Sequence, residues 1–222
     1  MKKKREILSI AIDSPAAAGA GTQAKLIAKE YNLFYLDTGK IYRLIGNYYL
    51  KSKKKFNYDY IKKKISKLKI DDLNNRKLLS DKVAVAASEI AKKYRIRQIV
   101  KNFQKNCAYN PPNKYAGSVL DGRDITSVIM KEATIKFYIT ANVNVRAKRR
   151  FLEYKKLKKK LTYHEVLKSI KNRDFLDKSR KYSPLKKTKD SILINTTKLS
   201  KKACFKKIKS IMDKKLIING NL

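Results

Sequence analysis

The stretch Ile7-Leu-Ser-Ile-Ala-Ile12, followed by Asp13-Ser-Pro-Ala-Ala-Ala-Gly-Ala-Gly-Thr22, decides the fold that the sequence predicts. The first part is an apolar run of strand length, and the second is a loop of small residues. From residue 24 onward, apolar residues recur at three- to four-residue spacing, which is typical of a helix. A strand, a small-residue loop and a helix in this order form the setting in which backbone N–H groups and a helix N-terminus attract an anion.

The loop departs from the usual phosphate-binding pattern at two important positions. That pattern is G-x-x-x-x-G-K with Ser or Thr close behind, and Gly19, Gly21 and Thr22 retain part of it. Ser14 stands in place of the first glycine, and Ala20 stands in place of the lysine. Taken alone, the segment is also consistent with a strand-to-helix turn that binds nothing.

Strand-length apolar runs alternate with helical patterns along the rest of the chain. The further runs cover residues 33–36, 118–121, 135–140 and 191–195. The helical patterns cover residues 41–50, 83–103, 143–158 and 164–177, and a last one follows residue 200. This alternation predicts an α/β fold with a parallel sheet. Residues 51–76, which are rich in Lys, Asn and Asp, are predicted to form an insertion on that core.

The composition excludes several classes of site. The chain has 222 residues with 56 Lys plus Arg and 18 Asp plus Glu, a formal net charge of +38, one His and two Cys. One histidine argues against a His-rich metal site and a Ser–His–Asp triad. Two distant cysteines give neither a zinc spacing nor a disulfide framework. No apolar run approaches the roughly 20 residues of a membrane span.

The net charge suggests a nucleic-acid partner, but its distribution argues against one. Of the 56 cations, 45 are Lys, scattered in short runs along the whole chain, and only 11 are Arg. Lysine is a hydrated point charge, whereas arginine offers a planar fork that matches phosphate and carboxylate groups. The positions of the few arginines are therefore the informative part of the charge.

Four segments, in order along the chain, carry a family resemblance. They are residues 13–22, Leu36-Asp-Thr-Gly-Lys-Ile-Tyr-Arg43, Leu120-Asp-Gly-Arg-Asp124, and Arg173-Asp-Phe-Leu-Asp-Lys-Ser-Arg180 with Ser183-Pro-Leu185. Together they resemble the bacterial cytidylate kinases over about residues 5–215. The resemblance implies a P-loop nucleoside monophosphate (NMP) kinase fold, with a five-stranded parallel sheet flanked by helices. It also implies transfer of the γ-phosphate of ATP, with Mg²⁺, to CMP or dCMP.

The resemblance further implies a single kinase domain over residues 1–222. Its core would comprise about residues 5–40, 105–145 and 186–220, its NMP-binding insertion about residues 41–104, and its basic lid about residues 146–185. We expect a cytoplasmic monomer whose partners are the nucleotides CMP, dCMP and ATP. Neither a membrane nor a nucleic acid is expected as a partner.

The resemblance also implies which residues form the site. The ATP phosphates would be bound by Ser14, Pro15, Ala16, Ala17, Ala18, Gly19, Ala20, Gly21 and Thr22, with Arg146 and Arg150 of the lid. CMP would be bound by Asp37, Thr38, Gly39, Arg43, Ser88, Arg97, Arg123, Asp124, Arg173 and Asp177. Catalysis would depend on Asp121, Arg123, Asp124, Arg173 and Arg180, with Thr22 and Asp121 near the magnesium ion. Residues 195–197 would lie near the donor adenine.

The spacing of the charged residues fits these assignments. Arg173, Asp177 and Arg180 recur at i, i+4 and i+7 on one helix face, and Arg146 and Arg150 share another. A guanidinium can bind a phosphate through two parallel hydrogen bonds. The alternative for the lid arginines is a solvated charged face, and for the segment around residue 123 it is a structural ion pair.

The missing loop lysine raises a second hypothesis, a catalytically weak or silent nucleotide-binding homologue. Removing one preorganised donor at a transition state costs about 2.7–4 kcal/mol. Lys25 lies beyond Thr22 on the predicted helix, too far along the chain to be assumed a replacement. A lid cation is the other candidate for that place. A third hypothesis, motivated by the net charge, is binding of single-stranded nucleic acid with a steep salt dependence.

Overall fold

A computed structural model describes residues 7–52 and 57–218 of the chain. Five parallel strands form one sheet in the order β2-β3-β1-β4-β5. They are β1 Leu8–Asp13, β2 Leu33–Asp37, β3 Gly117–Gly122, β4 Ile135–Thr140 and β5 Ile192–Asn195. The predicted fold class is confirmed, because the apolar runs alternating with helices form a parallel sheet flanked by helices.

Eight α-helices lie within the described ranges. They are α1 Ala20–Glu30, α2 Gly39–Lys51, α3 Tyr58–Ser66, α4 Asp81–Ile90, α5 Tyr94–Tyr109, α6 Val143–Lys156, α7 Tyr163–Ser179 and α8 Lys201–Ile218. Two short 3₁₀ turns, Ile70–Asn74 and Arg76–Leu79, precede α4, and a π-helical turn, Ile125–Ile129, follows β3. Within the predicted insertion at residues 51–76, α3 buries Ile61 and Ile65, and the first 3₁₀ turn buries Leu73.

The single helix predicted over residues 83–103 is wrong, because the structure divides it into α4 and α5. The backbone turns into an extended conformation at Lys93 (φ −78°, ψ 115°). The Arg97 guanidinium donates a hydrogen bond of 2.9 Å to the Ala91 carbonyl, at the end of α4. This contact satisfies an acceptor that a helix end leaves open. It depends on tertiary geometry, so helical periodicity alone does not reveal the break.

Two apolar cores cover the two faces of the sheet. On one face, Ala11, Leu36 and Leu120 pack with residues of α2, α3, α4 and α5. On the other face, Ile12 and Phe137 pack with residues of α1 and α8. Neighbouring strand residues point to opposite faces, so β1 and β3 each contribute to both cores. In the described part of the chain, no helix is long and apolar enough to cross a membrane.

The strand register brings three carboxylates to one edge of the sheet. Asp37 of β2 pairs with Asp121 of β3, and Asp13 of β1 pairs with Gly122. Ligands of open α/β sheets bind at the carboxyl ends of the strands, where the connections diverge. The acidic ends of the strands therefore mark the edge at which a site is expected.

Close approach of β1 and β3 gives a first prediction, for the substitution Gly117→Ala. A Cβ atom at residue 117 would lie 1.9 Å from the Leu8 carbonyl oxygen, so the two strands would have to separate. We expect the free energy of unfolding, measured in urea, to fall by about 3 kcal/mol or more. At Gly39, a Cβ would meet only a side-chain oxygen of Asp37, at 3.1 Å. Gly39→Ala is the control and should change stability by less than about 1 kcal/mol; equal losses would contradict the prediction.

Candidate active site

One cavity of about 550 Å³ lies at the carboxyl ends of β1, β2 and β3. This volume lies in the range of small-molecule sites. Among the described residues, it is lined by every residue of the predicted site except Ala16 and Arg146. Lining residues that the predicted site did not include are Lys25, Tyr35, Tyr42, Ala87, Ala91, Gly122, Arg149 and Glu153. The four motifs far apart in sequence therefore meet in one place.

The loop between β1 and α1 turns sharply before the helix begins. Gly19 has a φ of +92°, a conformation that glycine adopts without steric cost, and α1 starts at the next residue. Ala17 has a φ of +59°, which costs an L-residue with a Cβ roughly 1–2 kcal/mol. The first N–H groups of α1 have no partner within the helix and are suited to bind an anion.

Ala16 and Arg146, which do not line the cavity, hold the loop from behind. The Ala16 N–H donates to Asp174 Oδ1 at 3.2 Å, and Arg146 Nη1 donates to the Ala16 carbonyl at 2.9 Å. Arg146 and Asp174 also form a buried ion pair, with Nη2 2.6 Å from Oδ2. We call these contacts the loop clamp. They fix both backbone polar groups of Ala16 to α6 and α7.

A second fixed point is Asp13, at the end of β1. Its carboxylate accepts hydrogen bonds from Ile125 N at 2.8 Å, Thr126 N at 2.9 Å and Thr126 Oγ1 at 2.6 Å. These contacts hold the turn that follows the Asp-Gly-Arg-Asp segment against β1. Burial raises the pKa of Asp13 to about 6, although the three hydrogen bonds oppose the shift.

The acidic edge of the cavity combines Asp37 and Asp121. Tyr35 donates its hydroxyl to Asp121 Oδ1 at 2.9 Å. Burial, followed by the neighbouring charge of Asp37, raises the pKa of Asp121 to about 7. A pair of carboxylates that repel each other in this way suits a cation between them and the bound phosphates.

The donor groups at this edge fit magnesium. Mg²⁺ is usually held by one or two carboxylates together with substrate phosphates and water. Asp121 faces the start of α1, since a Cβ on Gly21 would lie 3.4 Å from Asp121 Oδ2. Thr22, which is exposed in the same cavity, adds a hydroxyl. Within the described ranges, no group of three or more His, Cys, Asp or Glu side chains could hold a metal by itself.

The acceptor side of the cavity is a network of arginine–carboxylate pairs. Arg97 lies 2.5 Å from Asp124, and Arg123 donates to Asp177 at 2.8 Å. Arg180 reaches the same Asp177 at 3.4 Å. The Arg123 guanidinium is the largest favourable charge acting on Asp177, and the net effect is a pKa below the usual value. The carboxylates thus hold several guanidinium groups in fixed positions around the cavity.

Three further predicted CMP-binding side chains, Arg43, Ser88 and Thr38, have hydrogen-bonding partners within the protein. Arg43 Nη1 donates to the Leu78 carbonyl at 2.9 Å. Ser88 donates to the Ala84 carbonyl at 3.2 Å, and Thr38 donates to the Asp121 carbonyl at 2.8 Å.

Arg173 differs from the other arginines of the cavity. It makes neither a hydrogen bond nor an ion pair with any residue that the structure describes. Burial and then the charge of the nearby Arg123 lower its pKa to about 10. The charge of Asp177 opposes this shift, and Arg43 and Arg150 add smaller contributions to it. Mutually repelling guanidinium groups around an unpaired one are suited to binding a multivalent anion.

The lid arginines differ in their surroundings. Arg149 donates to Thr196 Oγ1 at 2.9 Å and to the Thr196 carbonyl at 2.7 Å. Arg150 pairs with Glu153 at 2.8 Å and lies over the Tyr154 ring. Both line the cavity, whereas Arg146 belongs to the loop clamp.

The predicted adenine segment lies against the phosphate loop. Thr196 is buried and donates to the Ala18 carbonyl at 3.1 Å. Asn195 and Thr197 line a second, neighbouring cavity of about 620 Å³ together with Asn142.

The sequence analysis did not predict the roles of three residues in the site. Tyr35 and Lys25 line the cavity, and Asp174 holds the loop. Tyr35 is part of an apolar strand run, and nothing in that run marks its hydroxyl as a partner of Asp121. Asp174 lies inside the arginine-rich motif at residues 173–180, but its ion-pair partner Arg146 is 28 positions away in the sequence. The signal that could have suggested the pair is the adjacency of Asp174 to Arg173.

The loop clamp predicts that Asp174→Asn destabilises the protein and weakens ATP binding. The substitution leaves the buried Arg146 guanidinium without a counter-charge, which costs about 3–5 kcal/mol in comparable cases. Chemical denaturation and nucleotide titration measure the two effects. Asp190→Asn breaks the pair with Lys136 at a carboxylate that is 59% exposed, and it should cost less than about 1 kcal/mol. A loss no larger than that of the control would contradict the role of the clamp.

The raised pKa of Asp13 predicts a pH dependence of stability. The unfolded carboxyl releases its proton near pH 3.8 and the folded one near pH 6, so the folded state holds the extra proton between these values. The free energy of unfolding therefore falls as the pH rises through this interval, by about 3 kcal/mol from this group. Asp13→Asn should flatten that fall in urea titrations at several pH values. An unchanged slope would show that Asp13 is not its source.

Comparison with known proteins agrees with the assembled motifs. A family model described as cytidylate kinase matches residues 10–214. A cytidylate kinase of Bartonella henselae is 42% identical over 199 residues, covering 88% of this chain and 90% of that protein. A cytidylate kinase of Clostridium botulinum (strain Loch Maree / Type A3) is 37% identical over 216 residues, covering 92% of this chain and 97% of that protein.

A solved structure supports the fold alone. It is an uncharacterized protein from Eubacterium ventriosum, with a TM-score of 0.53 and 16% sequence identity, covering 94% of this chain and 99% of that one. The family model spans the loop, the acidic edge, the arginine network and the lid. Both relatives cover nearly all of the chain at more than 30% identity. The chain therefore belongs to the cytidylate kinase family.

Proposed function

We propose that the protein phosphorylates CMP and dCMP to their diphosphates with ATP as donor and Mg²⁺ as the metal ion. The observation that carries the proposal is Arg173, which lines the same cavity as the loop and the arginine network and has no hydrogen-bonding partner among the described residues. A cavity with this many guanidinium groups and a helix N-terminus suits two phosphate-bearing ligands placed end to end. The relatives named above carry the name of a kinase, which favours turnover over silent binding.

The reaction is an in-line phosphoryl transfer that needs no protein nucleophile. A phosphate oxygen of CMP forms a bond to the γ-phosphorus of ATP, and the bond from that phosphorus to the β,γ-bridging oxygen breaks. The electron pair leaves with ADP. The protein contributes position and electrostatic stabilisation, which fits a chain with one histidine.

On the donor side, the backbone N–H groups at the start of α1 bind the phosphates of ATP. The loop clamp keeps these groups in place, since Ala16 is held at both its N–H and its carbonyl. Asp121 and Thr22 would hold Mg²⁺, which when bound would neutralise charge on the phosphate oxygens. Arg150 reaches the donor phosphates from the lid.

On the acceptor side, Arg43, Arg97 and Arg123 bind the phosphate of CMP. Ser88 and Asp124 contact the cytosine base, and Asp177 contacts the sugar. Arg173 and Arg180 would stabilise the charge on the transferring group, since both line the cavity that also contains the loop and the other arginines. Preorganised donors of this kind need no rearrangement when charge develops.

The proposal includes the organisation of the chain. Residues 41–104 would form the NMP-binding insertion and residues 146–185 the lid, on a core of residues 5–40, 105–145 and 186–220. The protein would act as a cytoplasmic monomer on small-molecule nucleotides. The excess lysine charge would then serve as a solvated surface and not as a nucleic-acid interface.

The first test is turnover of ATP with CMP, dCMP and UMP in a coupled assay, together with titration of each nucleotide. We expect turnover with CMP and dCMP. Binding of CMP with no turnover at any enzyme concentration would contradict the proposed reaction and favour a silent nucleotide-binding protein. Tight binding of single-stranded nucleic acid that weakens steeply with salt would favour the third hypothesis.

We expect the substitution Arg173→Met to cause a large loss of activity and to preserve the fold. Removing this guanidinium should lower kcat/KM for CMP by about a hundred- to a thousandfold, because charge on the transferring phosphate loses a preorganised partner. Arg95→Met is the matched control, since the Arg95 side chain is 65% exposed and lies outside the cavity. The control should retain full activity. Equal activity of the two variants would contradict the role given to Arg173.

A further inference from the structure

The phosphate loop contains no cation, which leaves the donor phosphates without the charge such loops usually supply. Residues 14–22 include neither Lys nor Arg, and Ala20 stands where the lysine of the pattern would be. Ala20 is itself only 3% exposed. A transferring phosphoryl group needs positive charge near its β- and γ-oxygens. Another cation of the cavity must meet that requirement if the reaction proceeds.

The hydrogen bonds and ion pairs of the cationic side chains in the cavity narrow the choice of residue that could replace the loop lysine. Eight cationic side chains line the cavity: Lys25, Arg43, Arg97, Arg123, Arg149, Arg150, Arg173 and Arg180. Six of them are hydrogen-bonded or ion-paired within the protein. Among the described residues, only Lys25 and Arg173 make no such contact. Arg173 already stabilises the transferring group in the proposed function, and the charges of both Arg123 and Arg150 act on it. On the side of the loop, this leaves Lys25.

The geometry of α1 directs Lys25 back toward the loop. Lys25 is four residues beyond Gly21, so the two residues share a face of α1. At Gly21, this face lies next to the side chains of Asp121 and Tyr35. Side chains of an α-helix lean toward its N-terminus. The axial distance between residues 20 and 25 is about 7.5 Å, which a four-carbon stem can largely span.

The surroundings of Lys25 agree with a place at the phosphates. Its side chain is exposed and lines the cavity. Asp121 lines the same cavity and lies beside the position of Gly21, one turn before Lys25 on the same helix face. The ammonium group therefore lies within electrostatic reach of the edge where the metal and the donor phosphates would meet.

We propose that Lys25 supplies the phosphate-binding cation that the loop lacks at Ala20, with its ammonium group contacting the donor phosphate oxygens from one turn further along α1. This inference rests on the proposed function and names a catalytic residue for it. It replaces the expectation from sequence, in which Lys25 was too far along the chain.

A double-mutant cycle between residues 20 and 25 tests the proposal. Lys25→Met should lower kcat by about a hundredfold and weaken ATP binding, while CMP binding stays unchanged. Lys25→Arg, which keeps the charge, should lose no more than about tenfold. Lys29→Met is the control, since Lys29 is exposed on the same helix but lies outside the cavity, and it should match the wild type.

The decisive comparison is the gain from Ala20→Lys in two backgrounds. If Lys25 occupies the functional place of the loop lysine, Ala20→Lys raises kcat at least tenfold more in the Lys25→Met background than in the wild type. An equal gain in both backgrounds overturns the proposal. A shift of the pH profile in Lys25→Met without rescue by Ala20→Lys also overturns it, because Lys25 would then act only on Asp121.

Two further outcomes distinguish a failure of the role proposed for Lys25 from a failure of the proposed function. Wild-type turnover that Lys25→Met fully retains overturns the role of Lys25 and leaves the proposed function intact. A wild-type protein without turnover overturns the proposed function, and ATP titration of Lys25→Met then decides the role of Lys25 in phosphate binding alone. If Ala20→Lys does not fold, the contrast between Lys25→Met and Lys25→Arg carries the test.

Discussion

The buried ion pair between Arg146 and Asp174 is the interaction on which the site depends. It joins the two helices of the proposed lid and at the same time holds both backbone polar groups of Ala16. The loop needs this support, since Ala17 adopts a left-handed conformation although it carries a Cβ. Such strain persists only where the surrounding structure over-determines it.

The side chains of the arginine network are also held in fixed positions by other residues of the protein. Each carboxylate of the acceptor side fixes a guanidinium group that would otherwise sample many rotamers. Side-chain ordering of this kind is costly, at roughly 2 kcal/mol for an arginine, and the fold meets that cost before any ligand arrives. A nucleotide then meets donors whose directions are already set. Net charge, which is dominated by lysine, says little about this arrangement.

The sequence predicts the sheet because alternating strands and helices follow from local patterns, whereas most of the cavity lining is predicted from the resemblance of four motifs to the cytidylate kinases. Apolar runs ending in Asp37 and Asp121 identify strands that deliver carboxylates to one edge, and the structure has them in register. The division of α4 from α5 was missed, because it depends on a contact from Arg97 to the Ala91 carbonyl. Arg146 was placed with the donor phosphates by its motif, whereas its hydrogen bonds hold the loop from behind. Helical periodicity predicts which residues share a face of a helix, but it does not predict which atoms that face contacts.

The contacts of α6 attach it to the loop between β1 and α1. Arg149 donates to Thr196, and Thr196 donates in turn to the Ala18 carbonyl, so the first two turns of α6 are linked to that loop by hydrogen bonds. The loop clamp attaches α7 to that loop at Asp174. Both arms of the helical hairpin are thus pinned at their bases. If residues 146–185 act as the proposed lid, these attachments leave the part of the hairpin beyond Arg150 as the part that can move.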